Sequence, residues 1–123
     1  MQFTLNKLVS ELKQCSNKDA SVEFDFGREP QRFCSWRGSY DLPAIIWWEN
    51  RISMEPLKLS EFIKMCEETI WTEFTWYKWG EYIMSGSDRL WVCEQANYSG
   101  SLCICWISDK DYKIILHTEY CEY

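Results

Sequence analysis

The stretch Leu102-Cys103-Ile104-Cys105-Trp106-Ile107-Ser108-Asp109-Lys110-Asp111-Tyr112-Lys113-Ile114-Ile115-Leu116-His117-Thr118 decides the fold. Residues 102 to 107 form a continuous apolar run, which suits a strand inside a sheet rather than one at its edge. Ser108-Asp109-Lys110-Asp111 follows as a polar turn, and Tyr112 to Thr118 returns as a second strand, so the segment reads as a β-hairpin. Closing the turn at Ser108 and Asp111 sets Cys103 opposite Leu116 and Cys105 opposite Ile114. His117 then shares a face with Leu102, away from both cysteines.

Upstream of the hairpin, Leu90 to Glu94 is a further strand and Ser85-Gly86-Ser87-Asp88 a turn. Phe74, Trp76, Tyr82 and Ile83 mark β segments on either side of Gly80. Before them Leu59, Phe62, Ile63, Cys66 and Ile70 recur at i, i+3, i+4, i+7 and i+11, which predicts a helix over about 58–70. Ala44-Ile45-Ile46-Trp47-Trp48 is apolar on both faces and belongs inside a sheet. Val22, Phe24 and Phe26 alternate with acids, as in a strand with one buried face. Leu5, Leu8, Val9 and Leu12 give one apolar stripe, so a first helix is expected over about 4–15, with Thr4 as its N-cap. The whole chain, 1–123, reads as a single α+β domain. An antiparallel β-sheet of about five to seven strands carries two α-helices against one side.

The net charge is −6, which argues against general nucleic-acid binding, since that needs a basic field. No apolar run reaches membrane-spanning length. The 7 cysteines are odd in number and irregularly spaced, and Met1-Gln2-Phe3-Thr4 opens directly into the first amphipathic segment. We therefore expect no secretory leader, and reduced thiols acting as small apolar fillers in a cytosol.

Catalytic signatures are thin. Cys103, Cys105, His117 and Cys121 have the residue types of a zinc site, but the hairpin register above separates His117 from the cysteines, and a bulge would be needed to reunite them. No nucleophile elbow, phosphate loop or dinucleotide fingerprint occurs. Asp41 with Glu81 could form an acid/base pair, but nothing singles it out. The expectation is a binding protein, not an enzyme, with no cofactor and no metal.

Aromatic residues make up 17% of the chain, with 8 tryptophans. That is enough to fill a core and still line a surface. Ser35-Trp36-Arg37-Gly38-Ser39-Tyr40-Asp41-Leu42-Pro43 sets an arginine and an acid beside two rings at a glycine corner. Arg37 there could grip a phosphate while Trp36 or Tyr40 stacks on a base, or it could simply pair with Asp41. Lys78, Trp79 and Tyr82 around Gly80 offer a similar mix. The candidate ligand-binding residues are therefore Trp36, Arg37, Tyr40, Asp41, Lys78, Trp79 and Tyr82.

Taken in order, Phe33-Cys34-Ser35-Trp36-Arg37-Gly38-Ser39-Tyr40, the helix opened by Leu57-Lys58-Leu59-Ser60-Glu61-Phe62, Tyr77-Lys78-Trp79-Gly80-Glu81-Tyr82-Ile83-Met84 and Leu90-Trp91-Val92-Cys93 resemble a family of small uncharacterised tailed-bacteriophage proteins. That family's pattern runs S-[YW]-R-G-x-Y, then K-x-G-[DE]-Y-x-M, then W-V. The likeness spans about residues 22 to 107. It departs at Trp79, where the family tends to have glycine, and at Cys93, where alanine is usual. The resemblance implies a phage accessory protein made in the host bacterial cytoplasm. Besides a structural or regulatory role with no defence target, two roles fit such a protein. One is a counter-defence sponge, a homo-oligomer that sequesters a nucleotide-type immune signal at an arginine/aromatic site. The other is an anti-CRISPR-like inhibitor that presents an acidic and aromatic surface to a host defence or metabolic enzyme.

Overall fold

Thr4 starts the first helix: its backbone is extended, and its hydroxyl accepts the Lys7 amide N–H at 3.1 Å, which satisfies one of the donors a helix start leaves open. In the computed structural model, which describes residues 2–35, 43–47, 57–70, 73–76, 80–83, 86–94 and 101–121, α1 spans Leu5–Lys13. It buries Leu5, Leu8, Val9 and Leu12, the four residues of the stripe. The second helix, α2, spans Leu59–Thr69 and buries Leu59, Phe62, Ile63, Cys66 and Thr69. The Glu61 carboxylate accepts the Lys58 amide N–H at 3.0 Å and so closes the start of the helix. The helices pack side by side, and Lys13 reaches across to Glu67 at 2.9 Å.

The described residues form eight strands, in chain order β1 Ser21–Phe24, β2 Arg32–Ser35, β3 Pro43–Ile46, β4 Glu73–Trp76, β5 Gly80–Ile83, β6 Trp91–Cys93, β7 Leu102–Asp109 and β8 Lys113–Tyr120. Six of them form one sheet in the order β1-β8-β7-β6-β3-β2, while β4 and β5 pair with each other in a separate sheet. The fold class is α+β, as expected. The sheet, however, is mixed and not purely antiparallel, because β1 runs parallel to β8 and β3 parallel to β6. Between β3 and β6 the chain passes through α2 and the β4–β5 pair, a connection long enough to return it in the same direction. The four buried residues of β3 and the three of β6 show the two-sided burial that parallel strands require.

One face of the sheet meets both helices. Val22, Phe24, Phe33, Ile45, Val92, Ile104, Ile114 and Leu116 join the helical residues there in the main core, with Phe33 and Phe62 stacked at 6.4 Å. The opposite face holds a second buried cluster, Cys34, Ala44, Ile46, Trp91 and Cys93. The N-terminal segment enters beside β7: the Phe3 amide donates to the Ile104 carbonyl at 3.0 Å, and the Leu90 amide donates to the Phe3 carbonyl at 3.1 Å.

The β7–β8 hairpin departs from its expected register. Its tip is the pair Asp111–Tyr112, closed by the Lys110 amide donating to the Lys113 carbonyl at 2.9 Å. Asp111 has φ 68; aspartate tolerates that left-handed backbone, which tight hairpin loops need. Asp109 therefore lies opposite Ile114, and a bulge between Ile104 and Trp106 shifts the rest, so that Cys103 faces Glu119 and Trp106 faces His117. An even slip of the turn keeps every side chain on its face, whereas the single-residue bulge inverts the far end of one arm relative to the other. His117 and Glu119 thereby come to the cysteine face.

Cys15, Cys34, Cys66 and Cys93 are buried, as expected of apolar fillers. The expectation of seven reduced thiols fails at one pair: Cys103 and Cys121 form a disulfide, with Cα atoms 6.2 Å apart. Cys66 is fully buried. That burial, reinforced by the Glu67 charge, pushes its thiol far above the ordinary 9.0. A thiol that stays protonated in the folded state and ionises when unfolded makes its contribution in full below about pH 9 and loses it as pH rises further. Urea titrations from pH 8 to pH 10 should show stability falling by roughly 1 kcal/mol per pH unit above that point. The slope should be shallower in Cys66→Ala by the same amount.

Candidate functional site

Of the residues singled out from the sequence, Trp36, Arg37, Tyr40, Asp41, Lys78 and Trp79 lie outside the described residues. Tyr82 is placed as a backbone position of β5, opposite Phe74 of β4. Gly80, read as separating two β segments, is the first residue of the second of them, β5, opposite Trp76.

The described residues hold a different arginine-and-aromatic site. β1 stops at Phe24, and Gly27, at φ 83, turns the chain back in a conformation open to glycine at little cost. The turn leaves Phe26 off the strand. Expected on the buried face of β1, it is 41% exposed. It stacks on Phe24 at 5.2 Å and meets the Trp47 ring edge-on at 5.3 Å, the two geometries that ring quadrupoles favour. Trp47, two residues beyond Ile45, falls on the helix-bearing side of the sheet and packs against the main core. Leu102 and Tyr120 pair across β7 and β8. Together Asp25, Phe26, Trp47, Leu102, Thr118 and Tyr120 line an open cleft of about 400 Å³. The Arg28 guanidinium stands over the Trp47 ring, 5.7 Å from its centroid.

Asp25 closes the sheet edge beside this cleft. Beyond Phe24, β8 continues without β1 as its partner, and the Asp25 carboxylate accepts both the Thr118 amide N–H at 3.0 Å and the Thr118 hydroxyl at 2.8 Å. Both bonds go to a group that bears charge when ionised, which strengthens them.

On the other face, Trp106 is 52% exposed and lies flat on the His117 ring, with centroids 3.6 Å apart and planes 2° from parallel. His117 Nε2 and the Ser108 hydroxyl are hydrogen-bonded at 2.7 Å, while His117 Nδ1 stands 4.0 Å from Asp25 Oδ2. A serine, a histidine and an aspartate in line invite comparison with a nucleophilic triad. The third link fails on distance, because 4.0 Å exceeds hydrogen-bond reach and Asp25 is already engaged by Thr118. Without a carboxylate bonded to Nδ1 the imidazole is not fixed as a base toward Ser108. The line is better suited to holding Trp106 and His117 as a flat surface.

Sequence reasoning missed the cleft because its six residues come from four separate segments, with Phe26 read as a strand residue and Trp47 as strand interior. One signal was available in Arg28, which supplies a cation two residues past Phe26.

No helix among the described residues is long and apolar enough to cross a membrane. No protein-family model, curated protein or solved structure matches the chain.

Proposed function

We propose that this chain is a non-enzymatic phage accessory protein, acting in the host bacterial cytoplasm, that captures a nucleotide-type immune signal at an arginine/aromatic site. The observation that carries the reading is the cleft lined by Phe26, Trp47 and Tyr120, with Arg28 close by over the Trp47 ring. Its volume of about 400 Å³ falls within the range of small-ligand sites. Trp47, Phe26 and Tyr120 offer π-faces on which a base can stack with little regard to its identity. Arg28 supplies the planar fork that a phosphate accepts in bidentate fashion. A local cation in a chain of net charge −6 suits a small anion better than a polyanion. Arg37 and Lys78, with their neighbouring rings, belong to the same proposal as further phosphate and stacking groups.

The test is native mass spectrometry and calorimetry with a panel of cyclic and linear nucleotides, on wild type, Arg28→Ala and Arg37→Ala. Binding lost in Arg28→Ala assigns the ligand to the cleft, and binding lost only in Arg37→Ala assigns it to the glycine corner. Wild-type protein that binds no member of the panel sinks the reading for those ligands.

A second reading, an inhibitor docked on a host protein, is favoured by one observation. Trp106, Tyr112 and Tyr120 are 52%, 72% and 85% exposed, and large exposed rings are the usual anchors of an interface. Trp106→Ala separates the two readings, because it should abolish inhibition while leaving nucleotide capture intact.

A further inference from the structure

We infer that the reduced protein carries a zinc-class metal site made of Cys103, Cys121 and Glu119, on the face of the β7–β8 hairpin opposite the aromatic cleft. The three donors converge because of the bulge. Cys103 lies directly across from Glu119, and Cys121 lies two residues beyond Glu119, where the strand period returns a side chain to the same face. The Cys121 amide donates to the Ser101 carbonyl at 2.8 Å, so the pairing still holds the backbone at that point. The two sulfurs and a Glu119 carboxylate oxygen all lie within 4.8 Å of one another, and no other such group of His, Cys, Asp or Glu occurs among the described residues. Cys103 is fully buried, Cys121 is half-buried and Glu119 is exposed. The set is therefore anchored in the protein on one side and open to water on the other.

Two thiolates and a carboxylate form a soft, anionic donor set that favours zinc over magnesium or calcium. Three protein ligands leave one tetrahedral position for water. The same two sulfurs form the disulfide described above, so the site has two exclusive states. Opening the disulfide takes two electrons and two protons, supplied by a cellular thiol reductant that becomes a disulfide in turn. Metal capture then converts the two thiols to thiolates and releases two protons. A reducing cytoplasm favours the dithiol and hence the metal state. The site stands independently of the nucleotide reading, since its residues and its test share nothing with the cleft.

The test uses the full chain, kept reduced under argon and titrated with Co²⁺. A near-ultraviolet thiolate-to-cobalt charge-transfer band saturating at one equivalent, and displaced by Zn²⁺, is expected. Cys121→Ser and Cys103→Ser should lose the band, and Glu119→Gln should weaken Co²⁺ affinity by roughly tenfold or more. Cys105→Ser should keep both the band and the affinity. Far-UV circular dichroism on each variant separates loss of ligand from loss of fold, and Cys121→Ser, at the strand end, is the variant expected to fold normally. Two results would overturn the inference. One is a reduced protein with no charge-transfer band. The other is an intact mass that stays two hydrogens light under reductant, since a disulfide that cannot be opened leaves no thiolates to bind.

Discussion

Trp91→Ala lowers the unfolding free energy by about 3–5 kcal/mol, a large share of the roughly 5–15 kcal/mol that holds a domain together. Trp91 is fully buried, and it sits not in the main core between helices and sheet but in the second cluster on the opposite face. The Arg89 guanidinium lies over its ring at 5.0 Å. Its backbone is pinned in β6 opposite Ala44 of the parallel neighbour β3, so the lining cannot close by moving one strand alone. A cavity that cannot collapse puts the cost toward the upper end of the range. Urea denaturation should show the midpoint falling with the slope unchanged. Tyr112→Ala, at a residue 72% exposed on the hairpin tip, should stay within about 0.5 kcal/mol of wild type. A Trp91→Ala cost under about 1 kcal/mol would mean that the second face is not packed in solution.

On the proposed capture of a nucleotide in the cleft, Trp47→Ala should weaken binding by roughly 5- to 150-fold, the affinity equivalent of the 1–3 kcal/mol that a base gains on an aromatic platform. The substitution removes the stacking face and, with it, the edge contact that orients Phe26 and the ring beneath Arg28. Trp47→Phe keeps a π-face and should recover most of the affinity, whereas Trp47→Leu keeps apolar bulk without a ring and should not. Calorimetry on the three variants distinguishes stacking from mere filling of the cleft. Equal affinity in all three would remove Trp47 from the site and point instead to the Trp36–Asp41 segment of the sequence.

Both helices and the interior placement of β3 were legible in the residues, for separate physical reasons. The stripes of α1 and α2 repeat at the period of a helix, and helical contacts are local enough for that period to be read directly. Thr4 carries a capping chemistry that needs no tertiary context. Ala44-Ile45-Ile46 had to be buried on both faces because it carries nothing polar to offer water. Strand direction was not legible, since alternation of apolar and polar residues is the same in parallel and antiparallel pairs. The hairpin register failed because two competing turns, Asp109–Lys110 and Asp111–Tyr112, both contain an aspartate that tolerates positive φ. The bulge at Cys105 leaves no mark in the sequence at all. That one extra residue separates a dispersed set of cysteines from a convergent one. Most of the candidate residues chosen for their composition, at Trp36–Asp41 and Lys78–Trp79, fall outside the described residues. The cleft came instead from residues that share no local motif.

The pairing of β1 with β8 has a consequence for how the chain is made. These neighbours lie at opposite ends of the sequence, and the Asp25–Thr118 contact that finishes their edge spans 93 residues. A ribosome releases the chain from its N-terminal end at about 5–20 residues per second, so β1 emerges long before the strand it must lie against. Until residue 120 is clear of the exit tunnel, β1 lacks the strand it pairs with. The closure entropy of so long a loop must be met before the pairing returns any enthalpy. Folding of the sheet is therefore a late and concerted event, and the nascent chain is the form in which this protein is most open to chaperones and to misassociation.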